Sequence, residues 1–297
     1  MNLESIWSAL EGCQDFLGNY AYPAMDKAAE GLSLPPDYFT WVAAIWLFDS
    51  QSFDMAHYMR IFPYGLPQVN EECFASPVRQ GYLASDGQGW YRATESGMTI
   101  ATRLFHAANE GIAPLHPMPE ETVERLVDFL TRLSDAAFGT PEPPSHFILT
   151  RKRELYRRMG MVASLEGFIA HCLLLEGHRD DCYTATWSAH GVEGHAWEML
   201  DVLSRGKALT FVNLHNKLSR RGVTEEVHAG DVKELIRRGW VVENAGVYQI
   251  TPAGKQVRVE VEAETERLFF ASWSSLNESE LEELSHLAEG LRDGLKK

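Results

Sequence analysis

The densest group of side chains that could bind a metal ion or a haem is the run from His178 to Cys182, with His190 and His195 beyond it. His178 and Cys182 are four residues apart, so on a helix they lie on one face, as metal ligands often do. The spacing does not complete the four-ligand set of a structural zinc site. A buried cysteine and histidines bonded to the backbone explain the same residues, so we predict no metal and no cofactor.

Residues that could carry acid–base or nucleophilic chemistry are scarce. Asp180 and Asp181 are adjacent, and neighbours on a helix point in different directions. The sequence contains no G-x-S-x-G, Walker, dinucleotide-binding or H-E-x-x-H motif. The sequence therefore does not predict an enzyme.

Two stretches of the sequence predict the same order of elements: the end of a helix, a strand, a turn, a second strand and the start of another helix. They run from Arg79 to Gly97 and from Arg237 to Gly254. A glycine ends the helix, a hairpin follows, and a threonine precedes the next helix. The offset is 158 residues at the arginines and 157 at the final glycines, which requires one residue of difference in the turn. Two further blocks downstream keep this order, so we predict an internal duplication.

The composition bounds the class of protein. With 297 residues, 45% of them hydrophobic and 23% charged, the chain can form two globular domains. No apolar run reaches the ~20 residues of a membrane helix, and the start lacks the features of a signal peptide. We expect a cytoplasmic protein whose four irregularly spaced cysteines are reduced.

The domain boundary is predicted at the Pro-rich stretch after Gly139. This gives a first domain over 1–139, a linker over 140–150 and a second domain over 151–297. The second domain is predicted to open with one helix from 151 to about 176. Further along, the helices 210–220 and 224–238 flank Arg221-Gly222-Val223, a short glycine-containing connection typical of a helix-turn-helix.

The second half resembles the MarR family of winged-helix regulators over about 192–295, and the first half does so more loosely over 32–138. The residues that carry the resemblance are Leu214, Leu218, Val232, Leu235, Ile236, Arg238-Gly239-Trp240-Val241 and Ile250-Thr251-Pro252-Ala253-Gly254. The resemblance implies a mainly α fold with small β wings. It also implies tandem winged helix-turn-helix domains, joined through long terminal helices as an intrachain pseudo-dimer.

The function implied by the resemblance is a DNA-binding transcriptional regulator that responds to a small-molecule effector. The second motif helix would enter the major groove of double-stranded DNA, with the wing near the minor groove. The residues expected to contact DNA are Lys217, Arg220, Arg221, Thr224, His228, Lys233, Arg237 and Arg238. An effector pocket is expected among Trp41, Tyr183, Trp187, His190 and Trp197.

The charge of the chain argues against DNA binding. The net charge of −15 opposes binding to a polyanion, and both candidate recognition helices begin with acidic residues. Acidic residues also favour the positive end of a helix dipole, so they have an explanation unrelated to DNA. The alternative interpretation is a winged-helix protein that does not bind DNA and acts in ligand sensing or protein interaction. A homodimer is compatible with either interpretation.

Overall fold

The computed structural model describes residues 2–35, 37–160, 163–206 and 209–296. Within these ranges the chain is mainly helical with two small antiparallel sheets, which confirms the predicted mainly α fold with small β wings. None of the described helices combines the length and the apolarity that a membrane span requires.

The N-terminal half contains six helices and one hairpin among its described residues: α1 Leu3–Gly31, α2 Tyr38–Phe48, α3 Met55–Met59, α4 Pro67–Arg79, β1 Leu83–Ser85, β2 Tyr91–Ala93, α5 Glu95–Ile112 and α6 Glu120–Gly139. The C-terminal half follows with α7 Phe147–Met159, α8 Leu165–Ser188, α9 Gly194–Ser204, β3 Leu209–Thr210, α10 Phe211–Leu218, α11 Glu225–Arg237, β4 Val241–Asn244, β5 Val247–Ile250, α12 Pro252–Phe270 and α13 Glu278–Leu295. Short 3-10 turns follow α10 and α12.

The two hairpins have equivalent strand registers. β1 pairs with β2 starting from Leu83 opposite Ala93, and β4 pairs with β5 starting from Val241 opposite Ile250. Strand β3 lies on the free side of β5, and a single bridge from Phe53 lies on the free side of β2. The two hairpins therefore have similar surroundings and differ by one residue at the tip.

The helix that follows each hairpin begins in the same way. Thr94 accepts a hydrogen bond from the Gly97 amide at 3.1 Å, and Thr251 accepts one from the Gly254 amide at 3.1 Å. Each threonine hydroxyl also donates, at 2.6 Å, to the carbonyl of the glycine that ends the preceding helix. These bonds satisfy helix-end amides and tie each hairpin to the two helices beside it.

A central core joins the two halves. Helix α13, the last helix of the C-terminal half, packs on α1 in the N-terminal half. Helix α6, the last helix of the N-terminal half, packs on α8 in the C-terminal half. The Arg132 guanidinium on α6 forms two bonds to the Glu280 carboxylate on α13, at 2.7 and 3.1 Å. Arg125 pairs similarly with Glu283 one turn away, at 2.9 and 3.0 Å.

The predicted single helix from 151 to about 176 is wrong. Helix α7 ends at Met159, where Gly160 has φ +78°, and α8 begins at Leu165. Helix α7 also begins earlier than predicted, at Phe147, inside the expected linker. The Asp181 carboxylate on α8 accepts hydrogen bonds from the first amides of α7, so a long-range contact sets this helix start.

Candidate nucleic-acid interface and ligand cavity

The helix-turn-helix consists of α10 and α11. Thr210 and Thr224 cap the two helices by accepting hydrogen bonds from amides three residues on, at 3.4 and 3.3 Å. Between the helices, Gly222 has φ +67°, a left-handed conformation that glycine adopts without strain. Of the predicted apolar positions, Leu214, Leu218, Val232 and Leu235 are buried, whereas Ile236 is exposed.

Four of the predicted DNA-contacting side chains lie on the surface with their cationic groups accessible. Lys217 and Lys233 are exposed and form no ion pair with any described residue. The Arg220 side chain is 75% exposed, and its nearest carboxylate, Glu198, is 3.7 Å away. Arg237 is 70% exposed, although it forms a bidentate pair with Glu234 in which both bonds are 2.7 Å long. All four side chains therefore lie on the surface of the helix-turn-helix.

Two other predicted contacts stabilise the C-terminal half internally. Arg221 forms a bidentate pair with Glu198, at 2.9 and 2.7 Å, and lies 5.1 Å from the centre of the Tyr64 ring. Arg238 donates to the carbonyls of His190 and of the next residue, both at 2.7 Å. Bidentate pairs of this kind are strong, so these guanidinium groups are already engaged.

His228 does not lie on the surface, which corrects its predicted role in base contact. Its side chain is only 1% exposed, and its Nδ1 is 2.8 Å from Nδ1 of His215 on α10. Burial lowers the pKa of His228, with the nearby Asp231 carboxylate opposing the shift. Asp231 itself bonds His195 at 2.8 Å, so the ring belongs to a polar cluster that joins α9, α10 and α11.

The remaining surface of the motif is not basic. Glu225 and Glu226 are exposed at the start of α11, beside the capping Thr224. The hairpin from Val241 to Ile250 contains no lysine or arginine and carries Glu243 on its surface. The motif and the wing therefore do not form one continuous positive face.

The starts of the two candidate recognition helices lie next to each other. Val69, in the first turn of α4, packs on the turn before α11, because a Cβ atom added at Gly222 would lie 2.5 Å from Val69 Cγ1. Paired recognition helices that read successive major grooves are separated by about 34 Å. Helices α4 and α11 cannot both place their first turns in successive grooves.

The predicted effector residues do not share one pocket. Trp41 is buried in the core of the N-terminal half. The other four come together around Trp197, whose Nε1 donates to the Tyr183 hydroxyl at 2.8 Å. The rings of Trp187 and His190 lie 6.3 and 6.2 Å from the Trp197 ring. These side chains pack against one another as part of the C-terminal core.

An apolar cavity of about 390 Å³ lies elsewhere, between α1, α2, α5, α7 and α8. We call it the α7 cavity. Its aromatic wall consists of Tyr22, Phe39, Trp46, Phe62, Phe105 and Tyr156. None of the five predicted effector residues lines it. Its aromatic residues could be seen in the sequence, but the position of α7, which completes the wall, could not.

Three of the four charged side chains that line the α7 cavity are acidic. Lys152 Nζ bonds the Glu176 carboxylate at 2.9 Å, and Asn109 donates to Glu166 at 3.2 Å. Asp180 also lines the cavity, and it forms no hydrogen bond or ion pair with a described residue. Asp180 keeps access to solvent, but the protein around it desolvates its carboxyl and raises its pKa to about 6, and the nearby Lys152 opposes the shift.

The histidines and the cysteine first considered as ligands do not converge. Both ring nitrogens of His178 lie 3.9 Å from Cys182 Sγ, and burial lowers the pKa of His178 to about 4. His190 stacks on Trp197, and His195 pairs with an aspartate. Across the described part of the chain, no group of three or more such ligands is arranged to hold a metal ion.

Comparison with known proteins adds one finding. Residues 165–296, from the first residue of α8 to the end of α13, match the model of a helix-turn-helix family. The match supports a helix-turn-helix DNA-binding domain in this segment and a regulatory role. Searches of curated proteins and of solved structures found no match.

Proposed function

We propose that this protein is a DNA-binding transcriptional regulator of MarR-like type, in which the C-terminal winged helix contacts DNA and a small molecule regulates that contact. The observation that carries the proposal is the set of accessible basic groups on the helix-turn-helix that the family match covers. Lys217, Arg220, Lys233 and Arg237 supply its phosphate contacts.

The proposal includes two winged helices in one chain. The equivalent hairpin registers and the identical threonine caps support an origin by duplication. The exchange of last helices between the halves supports an intrachain pseudo-dimer. We place the domains at 1–139 and 151–297, joined by 140–150. Because the starts of α4 and α11 are adjacent, we propose that only α11 engages DNA.

The effector would act from the α7 cavity. Ile61 and Phe62 line that cavity, and the next residue, Pro63, packs its carbonyl against the start of α9 at Gly194. Tyr64 then lies under the Arg221 guanidinium, at the end of α10. One short segment therefore touches both the cavity and the helix-turn-helix, which gives a ligand a physical route to the DNA-contacting surface.

The proposal is tested by fluorescence anisotropy with fragments from upstream of the protein's own gene, over a series of salt concentrations. Regulators that neutralise phosphates lose affinity in a log-linear way as salt rises. Replacing both Lys217 and Lys233 by alanine should reduce that slope by about 2 while leaving sequence preference in place. Lys296→Ala, at the end of α13, removes a lysine outside the motif and should leave the slope unchanged.

One observation favours the alternative, a ligand-sensing or protein-interaction module that does not bind DNA. The first turn of α11 exposes Glu225 and Glu226, and Val69 covers the turn before it. If the wild-type protein shows no salt-sensitive preference for any fragment at low salt, the alternative replaces the regulator. Association of two chains is a separate prediction, measured by analytical ultracentrifugation with and without DNA.

A further inference from the structure

We infer that the α7 cavity binds an organic cation with a flat, apolar body, and that the Asp180 carboxylate neutralises its charge. The inference rests on the proposal that this cavity is the effector site, and it adds the chemical class of the effector. Sites for small molecules have volumes of about 300–1,000 Å³, and the cavity's 390 Å³ lies in this range.

The walls fit an aromatic body. Phe39 and Phe105 both pack edge-on against Trp46, at ring distances of 6.0 and 6.1 Å. Tyr156, from α7, extends this wall beside Phe105, at a ring distance of 6.2 Å. Aromatic faces attract both flat apolar groups and cations, through dispersion and through the ring quadrupole.

The charges fit a cation. Three carboxylates line the cavity, on Glu166, Glu176 and Asp180, against one cationic group, Lys152. Lys152 is already paired with Glu176, and Glu166 accepts from Asn109. Asp180 alone among the three has no partner within the described residues. Its side chain lies at the solvent-accessible edge of the cavity, where its unpaired carboxylate can meet a cationic ligand.

A second unpaired acceptor points to the same chemistry. Gln14 Oε1, on α1, lines the cavity region without access to solvent and without a hydrogen-bond partner among the described residues. Buried acceptors of this kind are normally satisfied. A ligand with a protonated nitrogen can donate to the Asp180 carboxylate or to this oxygen. An anionic ligand would meet two unpaired acceptors and a lysine that is already engaged.

The experiment compares two fluorescent probes of similar shape in the full-length protein. At about pH 8, 9-aminoacridine is a cation and acridine is neutral, whereas a carboxyl group with a pKa of about 6 is ionised. We expect 9-aminoacridine to bind about two- to fivefold more tightly than acridine, because water partly screens an ion pair at the accessible Asp180 carboxylate. Asp180→Asn should remove this preference, and Glu289→Gln, an equal charge change on exposed α13, should not.

The pH dependence gives an independent readout. Lowering the pH from about 8 to about 5 protonates Asp180 and should weaken binding of 9-aminoacridine to the wild-type protein, but not to Asp180→Asn. The charged groups that act on Asp180 are Lys152 from α7 and Glu176, Arg179 and Asp181 from α8, and the Tyr64 hydroxyl also lies near it. Any pH effect that they cause would persist in Asp180→Asn, so the comparison isolates Asp180.

Filling the α7 cavity tests whether the probes bind inside it. Ala108→Phe, on α5, should abolish binding of both probes while thermal unfolding shows a folded protein. Equal affinity for the two probes would overturn the inference and leave the cavity as the effector site. Failure of both probes to bind would also overturn it. The DNA measurements use no ligand, so their outcome decides the proposed function separately.

Discussion

Replacing Gly254 by alanine tests how the wing is fixed to α12. A Cβ atom at this position would lie 2.8 Å from Ile250 Cγ1 and closer still to the Trp240 carbonyl oxygen. Cβ atoms essentially never approach other heavy atoms within 3.0 Å, so the backbone of the wing must move. Overpacking of this kind costs about 1–3 kcal/mol. Because alanine favours helix by at most about 1 kcal/mol, we expect a net loss of stability.

The matched control is Gly230→Ala in α11, where an added Cβ atom meets nothing within 4 Å. This change should stabilise the protein by about 0.5–1 kcal/mol, since alanine loses less entropy than glycine in a helix. Urea unfolding followed by circular dichroism measures both variants as shifts of the midpoint. If Gly254→Ala were as stable as the wild-type protein, the close packing of the wing on α12 would be refuted. Gly97→Ala should be destabilising for the same reason in the first hairpin.

Two further predictions concern stability. Arg238→Ala should cost about 1–2 kcal/mol, because it leaves the part-buried His190 carbonyl without its donor, whereas water can replace the bond to the exposed carbonyl of Gly191. Arg237→Ala, at an exposed ion pair, should cost under about 0.5 kcal/mol. Urea unfolding distinguishes the two variants, and equal costs would contradict the internal role of Arg238. Burial lowers the pKa of His178 from 6.5 to about 4, so the folded protein keeps this ring neutral while the unfolded chain protonates it. The free energy of unfolding should therefore be unaffected above pH 6.5 and should fall by about 3 kcal/mol as the pH is lowered to 4. His178→Met should make unfolding less sensitive to pH in that window, and an unchanged profile would show that His178 does not titrate there.

Much of the fold could be predicted because local signals determine it. Each hairpin is flanked by a glycine at a helix end and a threonine at a helix start, and both residues act through bonds to near neighbours. The helix-turn-helix was predictable for the same reason, from Gly222 and the periodic leucines. The start of α7 was not, because the carboxylate that satisfies its first amides belongs to Asp181, more than thirty residues later.

The sequence predicted which kinds of residue lie at the candidate site, but not which of those side chains are accessible. Sequence identifies Arg221 and Arg238 as basic residues near the motif, but only the fold brings them to Glu198 and to the backbone carbonyls that occupy them. His228 has a helical spacing that fits either face of α11, and tertiary packing decides that it is buried. The α7 cavity depends on five helices from both halves, so no local pattern could have located it.

The adjacent residues Asp180 and Asp181 link the cavity to the architecture. Asp181 faces α7 and accepts from Ile148 and Leu149 at 3.0 Å each, which fixes the helix that supplies Tyr156 to the cavity wall. Asp180 faces the cavity itself, as expected of the next side chain on a helix. Tyr64, which packs on the Arg221 guanidinium, also lies near Asp180. The same turn of α8 therefore holds the helix that completes the cavity wall, through Asp181, and places the unpaired Asp180 carboxylate at the cavity. It also lies near Tyr64, in the segment that leads to the helix-turn-helix.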